Sequence, residues 1–221
     1  MNHRMAQAFD DLAADYDDVH HDEIARALVA FAAPTVTESV ADVACGTGAV
    51  AIAVAETRRG RPAGPPVLAL DLSSGMVAAG RVRADRLGLA GAIDWRTAPA
   101  LPLPVPDHSL DVVLCASSLH FLGSGAPVDW LRALRPGGRA GFTLPLAAEF
   151  HPRGVFADLL ADDLTLPGTA ADAAALAQAS GFTATATRTL AVGSRTVVLV
   201  LAEASSQGPA ASGQGPAARS S

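Results

Sequence analysis

The sequence predicts an α/β fold, a mostly parallel sheet covered by helices on both faces. Three observations carry this reading. Short apolar runs alternate with segments of helical period along most of the 221 residues. The first strong run, Val40 to Ala44, ends in a tight Gly46-Thr47-Gly48 turn that opens an Ala- and Val-rich helix. The last apolar segments flank Gly193-Ser194 and read as a hairpin, which adds an antiparallel strand.

Each element has its own signal. Met5 to Ala14 and Asp22 to Ala33 carry apolar residues at helical spacing, and Pro34 closes the second. Ser39 to Ala44 is strand one and Thr47 to Arg58 its crossover helix. The loop Arg58 to Pro66 is rich in Gly and Pro. Val67 to Leu70 is a buried strand ending at Asp71, and Ser73 caps a helix that runs to about Leu87 before Gly88. Ala92 to Arg96 is a short strand. Leu101 to Pro106 places proline at every second position, which gives a stiff extended loop. Leu110 to Cys115 is a strongly apolar strand, Pro127 to Leu134 a helix, and Pro136-Gly137-Gly138 a turn before the strand Arg139 to Leu144. Thr169 to Ser180 is a helix stopped by Gly181. Thr183 to Leu190 and Arg195 to Ala202 form the final hairpin.

Composition narrows the function classes. Half the residues are hydrophobic and 17% are charged, a globular balance. The net charge of −6 argues against a nucleic-acid partner, which would show a basic face. All 16 basic residues are Arg, a coding bias rather than a chemical feature. No apolar run is long enough to span a bilayer, and the N-terminus has no apolar signal core, so a cytoplasmic protein is expected. Cys45 and Cys115 are too few for a disulfide framework. The six histidines (His3, His20, His21, His108, His120 and His151) show no metal-ligand spacing, so no metal is expected.

The candidate site starts at the glycine turn. Gly46 and Gly48 let the backbone pass close under a ligand. The helix that follows offers unpaired N–H groups, while Asp42 adds the opposite sign. That pairing suits a zwitterion, such as the amino-acid end of a nucleoside cofactor. The same residues also fit a dinucleotide turn: Gly46-x-Gly48-x-x-Ala51 matches G-x-G-x-x-A, and Asp71 lies near the spacing of a ribose-binding acid, about 20 residues on. The single Tyr and the lack of Lys count against the common Tyr-Lys oxidoreductase.

The segment Val40 to Glu56, with its Asp-x-Ala-Cys-Gly-Thr-Gly core from Asp42 to Gly48, resembles motif I of the class I S-adenosylmethionine (SAM)-dependent methyltransferases. Val67 to Met76 resembles the second motif, and Arg96 to Cys115 the third; the likeness extends over about Ala41 to Ala202. Leu131 to Leu144 looks like the family's helix–turn–strand before strand five. The closest likeness is to the small ubiquinone/menaquinone-biosynthesis-like group. It implies a Rossmann-like seven-stranded sheet of order 3-2-1-4-5-7-6 with strand seven antiparallel. It also implies an N-terminal helical lid over 1–36, a methyltransferase domain over 37–203 and a disordered Gly/Pro/Ser/Ala tail over 204–221.

Residue by residue, the resemblance implies that SAM is held by Asp42, Ala44, Cys45, Gly46, Thr47 and Gly48, with Asp71 on the ribose hydroxyls and Leu72 and Met76 flanking the adenine. Thr97 stands where an Asp commonly meets the adenine amino group, and the N–H of Ala98 is expected to reach the ring. Cys45 and Cys115 are expected to line the cofactor floor as reduced thiols. Tyr16 resembles a lid residue. His120, after strand four, faces the methyl group and is the candidate base, with an ordinary pKa near 6.5. The implied reaction moves a methyl group to an O, N or C atom of a small, apolar metabolite. The protein is expected to be a monomer or homodimer. A SAM-binding relative without methyl transfer, a cyclase-type catalyst or partner subunit, is the alternative.

Overall fold

A computed structural model of the chain describes residues 2–13, 16 and 18–206. The strands are β1 (Val40–Val43), β2 (Val67–Asp71), β3 (Ile93–Thr97), β4 (Leu110–Cys115), β5 (Leu134–Pro145), β6 (Ala184–Val192) and β7 (Arg195–Glu203). They form one sheet in the order β3-β2-β1-β4-β5-β7-β6, as the resemblance implies. β1 lies parallel between β2 and β4, with Ala41 opposite Leu68 on one side and Val113 on the other. β7 runs antiparallel to β5, with Val200 opposite Phe142.

The helices are α1 (Asn2–Leu12), α2 (Asp18–Ala32), α3 (Ala49–Arg58), α4 (Ser74–Arg86), α5 (Leu119–Leu122), α6 (Gly125–Ala133) and α7 (Ala170–Ala179). The pleat of the central strands feeds two cores. Ala41 and Val43 of β1 join Trp130, Phe142, Ala173 and Ala177, so α6 and α7 cover that face. Val40 joins Leu28, Val54 and Val77 on the other, under α2, α3 and α4. Strands buried on both faces explain why β1, β2 and β4 are predominantly apolar, each with a single Asp (Asp42, Asp71 and Asp111).

Local chemistry sets the element ends. Ser73 accepts the Met76 N–H at 3.0 Å as the N-cap of α4. Thr169 and Asp172 close a reciprocal capping box at the start of α7. Asp111, read as structural, accepts the Ser39 N–H at 2.7 Å and pairs with Arg135 at 2.6 Å, which holds the entrance to β1 against β4.

Three differences from the sequence reading have physical causes. Pro136-Gly137-Gly138 is a bulge inside β5 rather than a turn before it: Leu134 still pairs with Leu110, and the register resumes at Arg139 opposite Val112. Gly137 takes a φ of +76°, which accommodates the bulge. α5 went unread because four residues are too few to show a period. The segment after β5, to which the sequence reading gives no element, holds two 3-10 turns, Ala147–Glu149 and Gly154–Leu159. At the C-terminal end, Ala204 donates to Gly138 O at 2.8 Å and Ser205 O accepts the Gly137 N–H at 3.1 Å. The expected tail falls mainly on 207–221, outside the described residues.

α1 is tied at one end to the start of α4 and at the other to the second 3-10 turn after β5. Asp10 accepts the Ser73 hydroxyl at 2.6 Å and the Gly75 N–H at 2.7 Å, so it also serves the start of α4. Those two bonds, the hydroxyl first, hold its carboxyl below the usual range. Arg4 pairs with Asp158 at 2.9 Å. Among the described residues no helix is long and apolar enough to cross a membrane.

Candidate active site

The carboxyl ends of β1, β2, β4 and β5 open onto a cavity of about 1120 Å³. This is where an open α/β sheet holds ligands. Ligand pockets typically enclose about 300–1,000 Å³, so there is room for a cofactor together with an acceptor.

One end of the cavity is built on β1, β2 and the glycine turn. Asp71 closes β2 and is nine-tenths buried. Its Oδ2 accepts the Gly46 N–H and its Oδ1 the Ser73 N–H, both at 2.8 Å. The carboxylate thereby fixes the turn and the start of α4 together. Burial nevertheless raises its pKa, outweighing those N–H bonds. Asp42 is 1% exposed and accepts the Ala51 N–H of α3 at 2.9 Å. The helix N-terminus expected to meet a ligand's anion therefore already meets a carboxylate of the chain. Burial pushes the Asp42 carboxyl up to about 7. Gly46 has a φ of +53°, and a Cβ there would meet only the Tyr16 hydroxyl at 4.0 Å. The space above the turn is open to a ligand.

These features test the fit of the expected cofactor. Two buried carboxylates beside the turn favour a cationic or zwitterionic group and oppose a pyrophosphate. Leu72 and Met76 supply apolar walls beside Asp71 that suit a flat ring. The residues fit a zwitterionic nucleoside better than a dinucleotide.

The other end is aromatic. Phe9 of α1 packs against Phe121 of α5 at 5.7 Å between ring centroids and against Phe156 at 5.4 Å. His120 lies 4.3 Å from the Phe121 ring and meets Phe150 edge-on at 4.9 Å. It is 5% exposed, and its Nδ1 is buried with no hydrogen-bond partner among the described residues. Burial without a charged partner pushes the imidazole down to about 4. The expectation of an ordinary pKa near 6.5 is corrected: the ring is neutral across the physiological range.

Ten of the residues singled out in the sequence line this cavity. They are Tyr16, Asp42, Ala44, Cys45, Gly46, Thr47, Asp71, Leu72, Met76 and His120. Tyr16 also stacks on His21 at 4.9 Å. Four others are placed elsewhere. Thr97 is exposed at the end of β3, opposite Asp71 in the sheet. The Ala98 N–H is spent on Asp71 O at 2.9 Å, so it has no hydrogen left for a ring. The Gly48 N–H bonds Cys45 O at 2.8 Å, and the residue packs on Trp95 rather than on the cavity. Cys115 is fully buried in the core with Trp130, on the other side of the sheet from the core that holds Cys45. Both thiols are free, and burial pushes both pKa values up, so neither is a ready nucleophile. Among the described residues no group of His, Cys, Asp and Glu could hold a metal ion.

Sequence reasoning missed the aromatic end. Met5, Phe9 and Leu12 form one stripe of α1, but such a stripe looks the same whether it faces a core or a cavity. Phe121, Phe150, Phe156, Arg153 and Arg195 carry no motif at all.

Comparison with known proteins agrees with this geometry. Residues 40–138 match the model of a methyltransferase domain family. The chain is 39% identical over 103 residues to the ubiquinone/menaquinone biosynthesis C-methyltransferase UbiE of Geobacter sulfurreducens, covering 46% of this chain and 39% of that one. It is 33% identical over 145 residues to the UbiE protein of Ectopseudomonas oleovorans, covering 62% of this chain and 84% of that one. The solved structure of a SAM-dependent methyltransferase from Aquifex aeolicus superposes with a TM-score of 0.62 at 18% identity, over 88% of this chain and 97% of that one. The first of these relatives is a longer protein, and the chain spans about two fifths of it.

Proposed function

The chain belongs to the class I SAM-dependent methyltransferases of the ubiquinone/menaquinone type, and on that premise we propose that it moves a methyl group to an O, N or C atom of a small metabolite with an apolar body. SAM is the cofactor. When bound, it supplies a sulfonium whose methyl group is already electrophilic. The chain's own work is then to bind, to align, to exclude water and to receive a proton where the acceptor has one to lose.

Asp71 is read as the acceptor for the ribose hydroxyls, because its oxygens keep lone pairs beyond the two backbone N–H bonds. Asp42 offers its charge to the amino-acid end, below the open space over Gly46. Leu72 and Met76 hold the base by apolar contact. Tyr16 stands above the turn and closes that end against water. Alignment of donor and nucleophile is the main term, worth about 7–11 kcal/mol in favourable cases.

His120 packs on the aromatic wall with its Nδ1 buried and without a partner among the described residues, and it carries the reading. Its imidazole is neutral without any prior proton loss. It holds a hydroxyl or amine acceptor by a hydrogen bond and takes its proton as the methyl arrives. Among the described residues no carboxylate orients it; Phe121 and Phe150 do so by packing.

The test is calorimetric titration of the purified chain with SAM, S-adenosylhomocysteine and NADH. Both adenosyl ligands are expected to bind at micromolar concentration and NADH not at all. Tight NADH binding without a SAM signal would refute the reading.

A further inference from the structure

The cavity has a feature that methyl-group chemistry alone leaves unexplained. Among the described residues, the arginines whose side chains make no hydrogen bond, ion pair or ring contact are Arg61, Arg86, Arg153 and Arg195. Two of the four, Arg153 and Arg195, line the cavity. They come from one wall. Leu146 donates to Thr196 O at 3.2 Å, which lays the segment after β5 along the start of β7. Thr196 in turn gives its N–H and its hydroxyl to Glu149, so the acid on this wall is already satisfied by neutral donors. Neither guanidinium forms an ion pair among the described residues.

The same compartment gathers four of the chain's seven phenylalanines. It also holds the imidazole of His120, whose Nδ1 is buried without a hydrogen-bond partner among the described residues. The arginines and the aromatics together define a ligand with two parts.

We propose that the methyl acceptor is an amphipathic organic acid: its apolar body lies among Phe9, Phe121, Phe150 and Phe156, and its carboxylate is bound by Arg153 and Arg195. This rests on the methyl-transfer reading above. The guanidinium fork matches a carboxylate in two hydrogen bonds and does not lose its charge at any working pH. The acids of the cofactor end and the arginines of the acceptor end then sort the two ligands by charge. An acid is repelled from Asp42 and Asp71, and a cation from Arg153 and Arg195.

The test uses the full chain saturated with S-adenosylhomocysteine and a pair of probes of matched shape, 4-phenylbutanoate and 4-phenylbutanamide, titrated by calorimetry. The acid is expected to bind at least about tenfold more tightly than the amide, the scale of a charge-assisted hydrogen bond. Its affinity is expected to fall with added salt. The double variant Arg153→Gln/Arg195→Gln should remove the preference while S-adenosylhomocysteine binds as in the parent. Equal binding of the two probes, no binding of either, or an acid preference that survives in the double variant would each overturn the assignment. Failure of S-adenosylhomocysteine to bind would instead overturn the methyl-transfer reading, and this inference with it. Both arginines are exposed, so the double variant is expected to melt with the parent. If it does not, the single Gln variants are titrated, each expected to lose part of the preference; full retention in both would overturn the proposal.

Discussion

Gly48→Ala should destabilise this protein by about 2–5 kcal/mol, although it adds one carbon atom. Two causes add. Gly48 has a φ of +79°, where an L side chain costs about 1–2 kcal/mol. The new Cβ would also stand 2.2 Å from Cη2 and 2.8 Å from Cζ3 of Trp95. The indole cannot retreat, because Gly80 of α4 presses on the same ring; a Cβ at that position would lie 2.5 Å away. Overpacking of this kind costs about 1–3 kcal/mol. For a domain of this size each kcal/mol lowers the melting temperature by about 2–4 °C, so a drop of about 5–20 °C is expected. Chemical denaturation followed by far-UV circular dichroism gives the free energy. Trp95→Leu separates the causes: it removes the clash and leaves the backbone strain. The pair should therefore be less than additive by about 1–3 kcal/mol. A Gly48→Ala protein within about 0.5 kcal/mol of the parent, or strict additivity with Trp95→Leu, would refute the account of the turn as propped by the indole.

Two further outcomes follow from the buried titrating groups. Burial raises Asp42 to about 7, so its ionisation costs the folded state stability, progressively from near pH 4 up to pH 7; a cation bound there reverses the cost, and SAM affinity should rise from pH 6 to 8 with proton release seen in buffers of different ionisation enthalpy, whereas a flat profile would remove Asp42 from the ligand's contacts. Burial lowers His120 to about 4, so its contribution is complete above about pH 6.5 and is lost as pH falls towards 4. His120→Ala should slow single-turnover methyl transfer by about 10²-fold or more at pH 7 with SAM affinity unchanged, and the parent's rate should fall near pH 4–5; an acid limb at pH 6.5 would contradict a buried neutral imidazole.

Legibility in the sequence followed burial and covalent proximity. β4 was readable to the residue because Leu110 to Cys115 is apolar on both faces. Asp42, Gly46 and Asp71 were readable because strand, turn and acid lie within one crossover unit and must meet. Thr97 and Ala98 were misplaced for the opposite reason. Sequence shows that they end a strand beside Asp71, but not that the Ala98 N–H is consumed by Asp71 O. Asp10 and Ser73 are joined at 2.6 Å across 63 residues of chain, and no local pattern announces such a bond. The aromatic compartment is assembled from α1, α5 and the segment after β5, three pieces whose apolar residues would serve equally well in a core.

The charge layout bears on the reaction itself. With a hydroxyl or amine acceptor and His120 as the base, one positive charge is passed from the methyl donor towards the imidazole rather than cancelled. A localised charge is held best by polar surroundings, and the transition state, in which that charge is shared over several atoms, needs those surroundings less. A wall made of Phe9, Phe121, Phe150 and Phe156 gives the reacting atoms little solvation to lose. The polar groups sit where charge persists: Asp42 and Asp71 at one end, Arg153 and Arg195 at the other. On the proposed reading, binding energy is drawn from groups remote from the reacting atoms, and the centre is largely apolar with His120 as its base, where differential stabilisation of the transition state counts most.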